Sequence, residues 1–297
     1  MNENLAKVIA YLESANRGES SMSEEVIEKA GEDFKQALRK QFQSQDYEFK
    51  ARPSNLGRPL CQLQMEAAGA RKADKNYSFK MIVTFGDAVE AILKAVLSSC
   101  DINYEEGNKV SISLAKQGAD VGIEDLSGET DLYTDDRVDD IKSCSPWAYR
   151  NKFLNFKGMK SHDTFGYLTQ LHLYAFGSKK KVGGWWAVNK SSGEVTYLED
   201  ESSDEQVQQS VDDAFVKVKA LEDNKPFERC FEDEPETFRK KETGNRVLGE
   251  VCSWCDFKFS CWEGLEYKPQ PVSSAREPRW LYYTHTEDKS NVEEKKS

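Results

Sequence analysis

Apolar residues recur at helical spacing through Val26, Ala30, Phe34 and Leu38, just after the capping box Ser21-Met-Ser-Glu24. A hydroxyl and a carboxylate three positions apart satisfy each other's free backbone donors, so residues 1 to about 48 read as helix, turn, helix. A second stripe, Ile82, Phe85, Val89, Ile92, Leu93, Val96 and Leu97, predicts a core helix over residues 81–97, with Gly86 and Glu90 one turn apart. From Ala119 to Ser143 the period shortens to two, through Val121/Ile123, Thr130/Leu132 and Val138/Asp140/Lys142. Ser127-Gly128 and Thr134-Asp-Asp136 supply turns, which together predict an antiparallel meander. A helix around residues 163–176, strands at 182–188 and 195–198 about a turn at 189–193, and a helix from Ser203 to Leu221 follow. The chain after Tyr283 is charged and is expected to fray.

These segments predict a mixed α/β protein with a central sheet flanked by helices. Residues 1–48 are expected to form an N-terminal helical appendage, 49–268 a main domain closed by a cysteine-bearing lobe, and 269–297 a partly disordered tail. No internal repeat and no glycine-rich phosphate loop is present.

Composition narrows the class. Seven cysteines in 297 residues are too few and too odd a number for a disulfide scaffold, and the first residues lack the apolar run of a secretory signal, which predicts a reducing, cytoplasmic setting. No window approaches the roughly 20 apolar residues that cross a bilayer, so no membrane partner is expected. The formal charge of −11, from 41 basic and 52 acidic residues, argues against indiscriminate coating of nucleic acid. Local basic clusters at Arg52, Arg58, Arg71, Lys72, Lys75 and Lys80, and at Lys152, Lys157 and Lys160, still leave positive patches available.

The candidate chemistry lies in the meander. Asp131 follows Gly128-Glu-Thr, and alternation puts Asp140 and Lys142 of the next strand on one face. Carboxylates gathered there would form a hard oxygen site suited to Mg²⁺ or Mn²⁺, with the ammonium orienting or deprotonating water or stabilising phosphorane charge. Glu90 would complete the shell from the preceding helix. Without a cation, such carboxylates repel and raise one another's pKa values. A solvated acidic hairpin is the alternative, and Asp139 competes with Asp140 if the register shifts by one. Gln170 and Tyr174 share a helix face four residues apart and would hold a phosphodiester beside the metal.

The order Gly86-x3-Glu90, Gly128-x2-Asp131, Asp140-x-Lys142, Gln170-x3-Tyr174 resembles the PD-(D/E)XK nuclease superfamily, and its last motif the RecB-like branch. That resemblance implies a restriction-endonuclease-like fold. It also implies a metal-dependent nuclease in which Glu90, Asp131 and Asp140 bind metal, Lys142 assists catalysis, and Gln170 and Tyr174 position substrate.

Cysteines refine the resemblance. The segment Cys252-Ser-Trp-Cys255-Asp-Phe-Lys-Phe-Ser-Cys261-Trp puts three thiols where neighbouring thiolates can reach one metal centre. Together with Cys61, ahead of the core, they are similar to the iron–sulfur subset that includes CRISPR-associated RecB-like exonucleases and AddB-type nuclease domains. That subset implies a [4Fe–4S] cluster on Cys61, Cys252, Cys255 and Cys261, stapling the segments on either side of the core. Cys230 is the rival fourth ligand and structural zinc the chemical alternative. Cys100 and Cys144 read as ordinary thiols, Trp254 and Trp262 as shields for the cluster, and Trp185-Trp186 as packing residues.

The expected activity is exonucleolytic hydrolysis at DNA ends in recombination, repair or replication, on single-stranded or end-bearing DNA, alongside a helicase or recombination partner. A noncatalytic DNA-binding or scaffold protein that kept the fold is the alternative.

Overall fold

The computed structural model describes residues 2–43, 48–113 and 125–287. In chain order the elements are α1 (Glu3–Asn16), α2 (Glu24–Phe42), α3 (Pro53–Leu56), α4 (Leu60–Ala67), α5 (Ser78–Ser98), β1 (Tyr104–Glu106), β2 (Lys109–Ile112), β3 (Leu126–Glu129), β4 (Leu132–Thr134) and β5 (Arg137–Cys144). Next come α6 (Pro146–Ala148), one π-helical turn at Tyr149–Phe153, α7 (Phe156–His162), α8 (Tyr167–Ser178), β6 (Lys181–Asn189), β7 (Val195–Glu199) and α9 (Asp204–Glu222). Then follow β8 (Glu234–Phe238), β9 (Lys241–Val247), α10 (Glu250–Trp254), α11 (Lys258–Cys261), β10 (Glu266–Pro269) and β11 (Trp280–His285).

The chain forms two compact units, one from Met1–Gly57 and Lys75–Asp223, the other from Arg58–Asp74 and Asn224–Ser297. The boundary expected at residue 48 therefore falls inside the first unit. Residues 1–48 are not an appendage, because Leu5 and Val8 of α1 share a buried cluster with Leu93, Val96 and Leu97 of α5 and with Leu132, Ile141, Trp186 and Tyr197 of the sheet. The segment expected as a tail contributes β11, a strand paired on both sides; residues 288–297 lie outside the described residues.

In the first unit a five-stranded mixed sheet runs β1-β4-β5-β6-β7, with β4–β5 and β6–β7 antiparallel and β5–β6 parallel. Helices flank it. The β4–β5 hairpin turns on Asp135 and Asp136, both at positive φ, a conformation that short carboxamide or carboxylate side chains tolerate better than most. β2 and β3 form a separate antiparallel pair, so the expected meander is broken after β3; its Val121/Ile123 portion lies outside the described residues.

A bulge at Gly183-Gly184 of β6 interrupts the pairing between Val138 and Asp140. It exists for a reason visible in the side chains. A Cβ on Gly183 would sit 2.0 Å from Asp139 Oδ1, and the Gly184 N–H donates to that same oxygen at 2.8 Å. Asp139 is fully buried and also accepts from Trp186 Nε1 (3.2 Å), the Tyr197 hydroxyl (2.8 Å) and the Thr134 hydroxyl. Trp185 and Trp186 are fully buried, as packing residues should be.

The long stripe of α5 divides. Leu93, Val96 and Leu97 are buried, whereas Ile82, Phe85 and Ile92 are 47, 52 and 62% exposed, so only part of the expected stripe faces the core. α2 starts at N-cap Ser23, which accepts from Val26 N–H, rather than at the expected box on Ser21. Ser203 and Gln206 do form a capping box at the start of α9.

The second unit carries a four-stranded sheet ordered β10-β11-β9-β8, all antiparallel. Buried Glu236 organises it by accepting from Tyr283 Oη (2.6 Å), Asn245 Nδ2 (2.6 Å) and Thr243 Oγ1 (2.5 Å). Among the described residues no helix is long and apolar enough to cross a membrane.

Candidate active site

Six side chains singled out by spacing come from four places in the first unit: Glu90 on α5, Asp131 just before β4, Asp140 and Lys142 on β5, and Gln170 and Tyr174 on α8. Lys142 Nζ lies 2.8 Å from Asp140 Oδ1 and 2.6 Å from Oδ2. Gln170 Nε2 donates to Asp140 Oδ1 at 3.0 Å. Asp131 Oδ2 accepts the Ile141 backbone N–H at 2.8 Å, so this carboxylate is clipped to β5 between Asp140 and Lys142.

Electrostatics tie Glu90 to the same group. Burial, then the charge on Asp131, raises the Glu90 pKa, while Lys94, one turn on and 2.6 Å away, opposes the rise. Asp131 is pushed up to about 6 by burial and by Asp140, against the pull of Lys142. Asp140 is raised by burial despite its lysine partner. Burial works against the Lys142 ammonium, yet Asp140 and Asp131 outweigh it and its pKa is raised. Each carboxylate would ionise more readily beside a cation, which is the chemistry of a site for a hard divalent metal.

As they stand, no three His, Cys, Asp or Glu side chains among the described residues are arranged to hold a metal ion. Each carboxylate has a partner of its own: Lys94 pairs with Glu90, Lys142 with Asp140, and the Ile141 amide with Asp131.

Tyr174 is buried against Gly128, where an added Cβ would sit 2.8 Å from the phenolic oxygen. Its hydroxyl is hydrogen-bonded with Ser54, and burial pushes its pKa up to about 12. Asp139, the competitor for Asp140, has its oxygens taken up by four donors inside the core.

Two residues escaped the sequence reading. Lys94 is legible in retrospect as a basic partner four residues after Glu90. Tyr167, whose ring centroid is 4.8 Å from Lys142 Nζ, sits one turn before Gln170 and carried no motif. An open cleft of 530 Å³ between α2 and α5 leads from Arg39, Lys40 and Gln43 to Glu90, Lys94 and Glu129.

Cys61, Cys230, Cys252, Cys255 and Cys261 all belong to the second unit. The Cys61 N–H donates to Cys230 Sγ at 3.3 Å. Ala73 N–H to Asp256 O (2.7 Å) and Ser260 Oγ to Arg71 O (2.7 Å) tie the two chain segments of that unit together. Burial pushes Cys61 up to about 12, against a hydrogen bond with the Cys230 backbone and with the Cys230 thiol adding to the rise; burial, then Cys255 and Cys261, pushes Cys252 up to about 11. Crowded thiols that resist losing protons together are the donor set a thiophilic metal relieves. Trp262 is buried with the Arg229 guanidinium 4.3 Å from its ring, whereas Trp254 is 67% exposed. Cys144 donates to Val188 O at 3.4 Å as an ordinary buried thiol.

No family model matches the chain, and no curated protein matches it. Among solved structures, one described as "Crystal structure of SSO0001" aligns with 78% of this chain and 95% of that chain at 14% identity and a TM-score of 0.41. A likeness that shallow carries no argument about activity.

Proposed function

We propose that the protein is a metal-dependent deoxyribonuclease of the RecB-like PD-(D/E)XK type, with a restriction-endonuclease-like first unit, acting at DNA ends. One observation carries the reading: Asp131 from just before β4, Asp140 and Lys142 from β5 and Gln170 from α8 meet around the Asp131–Asp140 carboxylate pair. Glu90, Asp131 and Asp140 are the residues that would hold Mg²⁺ or Mn²⁺, which when bound polarises a phosphodiester and acidifies a water.

Roles for the chain's own residues follow from their environments. Lys142, held protonated by Asp140 and Asp131, is suited to stabilising negative charge on a phosphoryl oxygen and not to accepting a proton. Gln170 fixes the Asp140 carboxylate through its amide, which makes it a positioning residue for the metal ligand as well as a candidate substrate contact. Tyr174, wedged against Gly128, has little freedom to move and presents its hydroxyl beside Ser54.

Cys61, Cys252, Cys255 and Cys261 are proposed to hold a structural [4Fe–4S] cluster. All four lie in the unit assembled from the two chain segments that flank Lys75–Asp223, as a staple requires. DNA is the proposed partner, with single-stranded or end-bearing forms preferred and a helicase as a fitting companion.

The test is Mn²⁺- or Mg²⁺-dependent release of nucleotides from linear single- and double-stranded DNA beside closed circular DNA. Linear DNA degraded while circles persist supports an end-directed nuclease. No release from any form, under either metal and with the cysteines kept reduced, contradicts the reading.

A further inference from the structure

Two aromatic rings, Phe165 and Tyr167, lead from the protein surface to the proposed catalytic lysine, with buried Phe153 behind Tyr167. Tyr167 is flanked by Phe153, with centroids 6.3 Å apart and planes at 29°, and by Phe165, at 5.8 Å and 24°. Lys142 Nζ is 4.8 Å from the Tyr167 centroid. Lys152, buried on the π-helical turn, lies 5.1 Å from Tyr167 and 5.5 Å from Phe165.

The backbone is built to hold this arrangement. Gly166, between the two rings, is left-handed at φ 77°, and a Cβ there would sit 2.3 Å from Gly57 Cα. Only glycine suits that position. The reversal brings residues two apart onto one side, so their rings stack instead of alternating. Asp163 fixes the next turn by accepting the N–H groups of Tyr167 (2.8 Å) and Leu168 (3.0 Å). Yet Phe165, the outermost ring, remains 47% exposed. Its outward face adds nothing to the packing that holds Tyr167.

We propose that the Phe165–Tyr167 stack is a platform for the base next to the scissile phosphate, which makes the site select an unpaired nucleic acid strand. This rests on the nuclease reading above. Every base has a π-face, so an aromatic platform binds without reading sequence. A base inside a duplex has both faces covered by its neighbours and must be extruded before it can stack elsewhere. Lys142 is in contact with Tyr167, so a base on Phe165 would leave its phosphate one ring away from the carboxylate pair. Lys152 stiffens the stack by its contact with both rings.

Fluorescence anisotropy with a labelled oligothymidylate and a labelled blunt duplex tests the platform, with Ca²⁺ replacing Mn²⁺ to limit cutting. Phe165→Ala is expected to weaken the oligothymidylate by about 5- to 150-fold, the worth of one stacked base, to leave duplex affinity unchanged, and to lower the melting temperature slightly through the lost contact with Tyr167. Phe165→Trp should retain the affinity. Phe165→Leu should lose it, because an apolar side chain without a π-face fills the space but offers no stack. Wild-type affinity in Phe165→Ala, equal losses on both probes, or full rescue by leucine would each overturn the proposal. If the wild type cuts single strands while Phe165→Ala binds them normally, the platform alone fails. If the wild type neither binds nor cuts DNA, the nuclease reading fails and takes the platform with it.

Discussion

Gly128 and Tyr174 are in van der Waals contact so close that a single added methyl group at residue 128 would sit 2.8 Å from the phenolic oxygen and 2.9 Å from the ring. The glycine of one motif is thus a space reserved for the tyrosine of another. Gly128→Ala is expected to displace the ring and lower turnover, and Tyr174→Phe to lower it with little loss of stability, since only the hydroxyl shared with Ser54 is removed. The double variant should fall short of additive, because both changes act on one side chain. Steady-state rates and melting temperatures of the three variants decide this; unchanged turnover in Tyr174→Phe would reduce the contact to packing.

Asp131 predicts a pH dependence of stability. The folded protein holds its proton up to about pH 6, whereas an unfolded chain releases it near pH 4. Between those values the folded state binds more protons, so metal-free stability falls as pH rises and levels off above about pH 6. Asparagine can still accept the Ile141 N–H but carries no charge. In EDTA, Asp131→Asn should therefore be more stable than wild type at pH 7.5, on the order of 1 to 3 kcal/mol, and equal to it at pH 4. Denaturant midpoints at the two pH values check the sign; a destabilised variant at pH 7.5 would refute it.

Lys142→Ala should lower the cleavage rate by roughly 10²- to 10³-fold, the range for one charge-stabilising donor at a reacting centre. It also leaves Asp140 and Asp131 without their nearest cation, so the variant should melt lower than wild type in EDTA and recover part of the difference in Mg²⁺. A rate within tenfold of wild type would remove Lys142 from the mechanism.

Much of the candidate site's geometry was legible in the sequence because its residues sit on elements with strong periods. Strand alternation placed Asp140 and Lys142 together, and helical spacing placed Gln170 beside Tyr174. The β6, β7 and α9 segments were legible for the same reason. What escaped detection depended on tertiary packing. The stripe through Ile82, Phe85 and Ile92 has the same period as Leu93, Val96 and Leu97, and periodicity alone cannot tell which part of a long helix meets the core. The burial of Asp139 depends on the Gly183-Gly184 bulge of the neighbouring strand β6, more than 40 residues on in the chain, which no local pattern announces. α1 carried too weak a stripe to reveal that Leu5 and Val8 complete the sheet's core. The division into two units also stayed hidden, because the second is assembled from segments separated by the whole of Lys75–Asp223.

For the cysteines, protein purified without oxygen should be brown and contain iron, through the thiolate ligation expected of a cluster. Cys61→Ala should bleach it and lower the melting temperature, and Cys230→Ala should do neither. Bleaching by Cys230→Ala alone would move the fourth ligand to Cys230, the thiol that accepts the Cys61 N–H. Colourless protein with stoichiometric zinc would replace the cluster with a zinc site and leave the carboxylate centre untouched.

The most direct measurement of the central claim is the single-turnover cleavage of end-labelled single-stranded DNA in Mn²⁺ by the wild type and by Asp140→Asn. Asparagine keeps the shape of the side chain and an acceptor for Gln170, and removes the charge on which the proposed metal site depends. The expected result is metal-dependent hydrolysis by the wild type, none above background in Asp140→Asn, and matching circular dichroism spectra. Equal cleavage by the two proteins, or cleavage by wild type that persists in EDTA, would contradict a catalytic centre built on Asp131, Asp140 and Lys142.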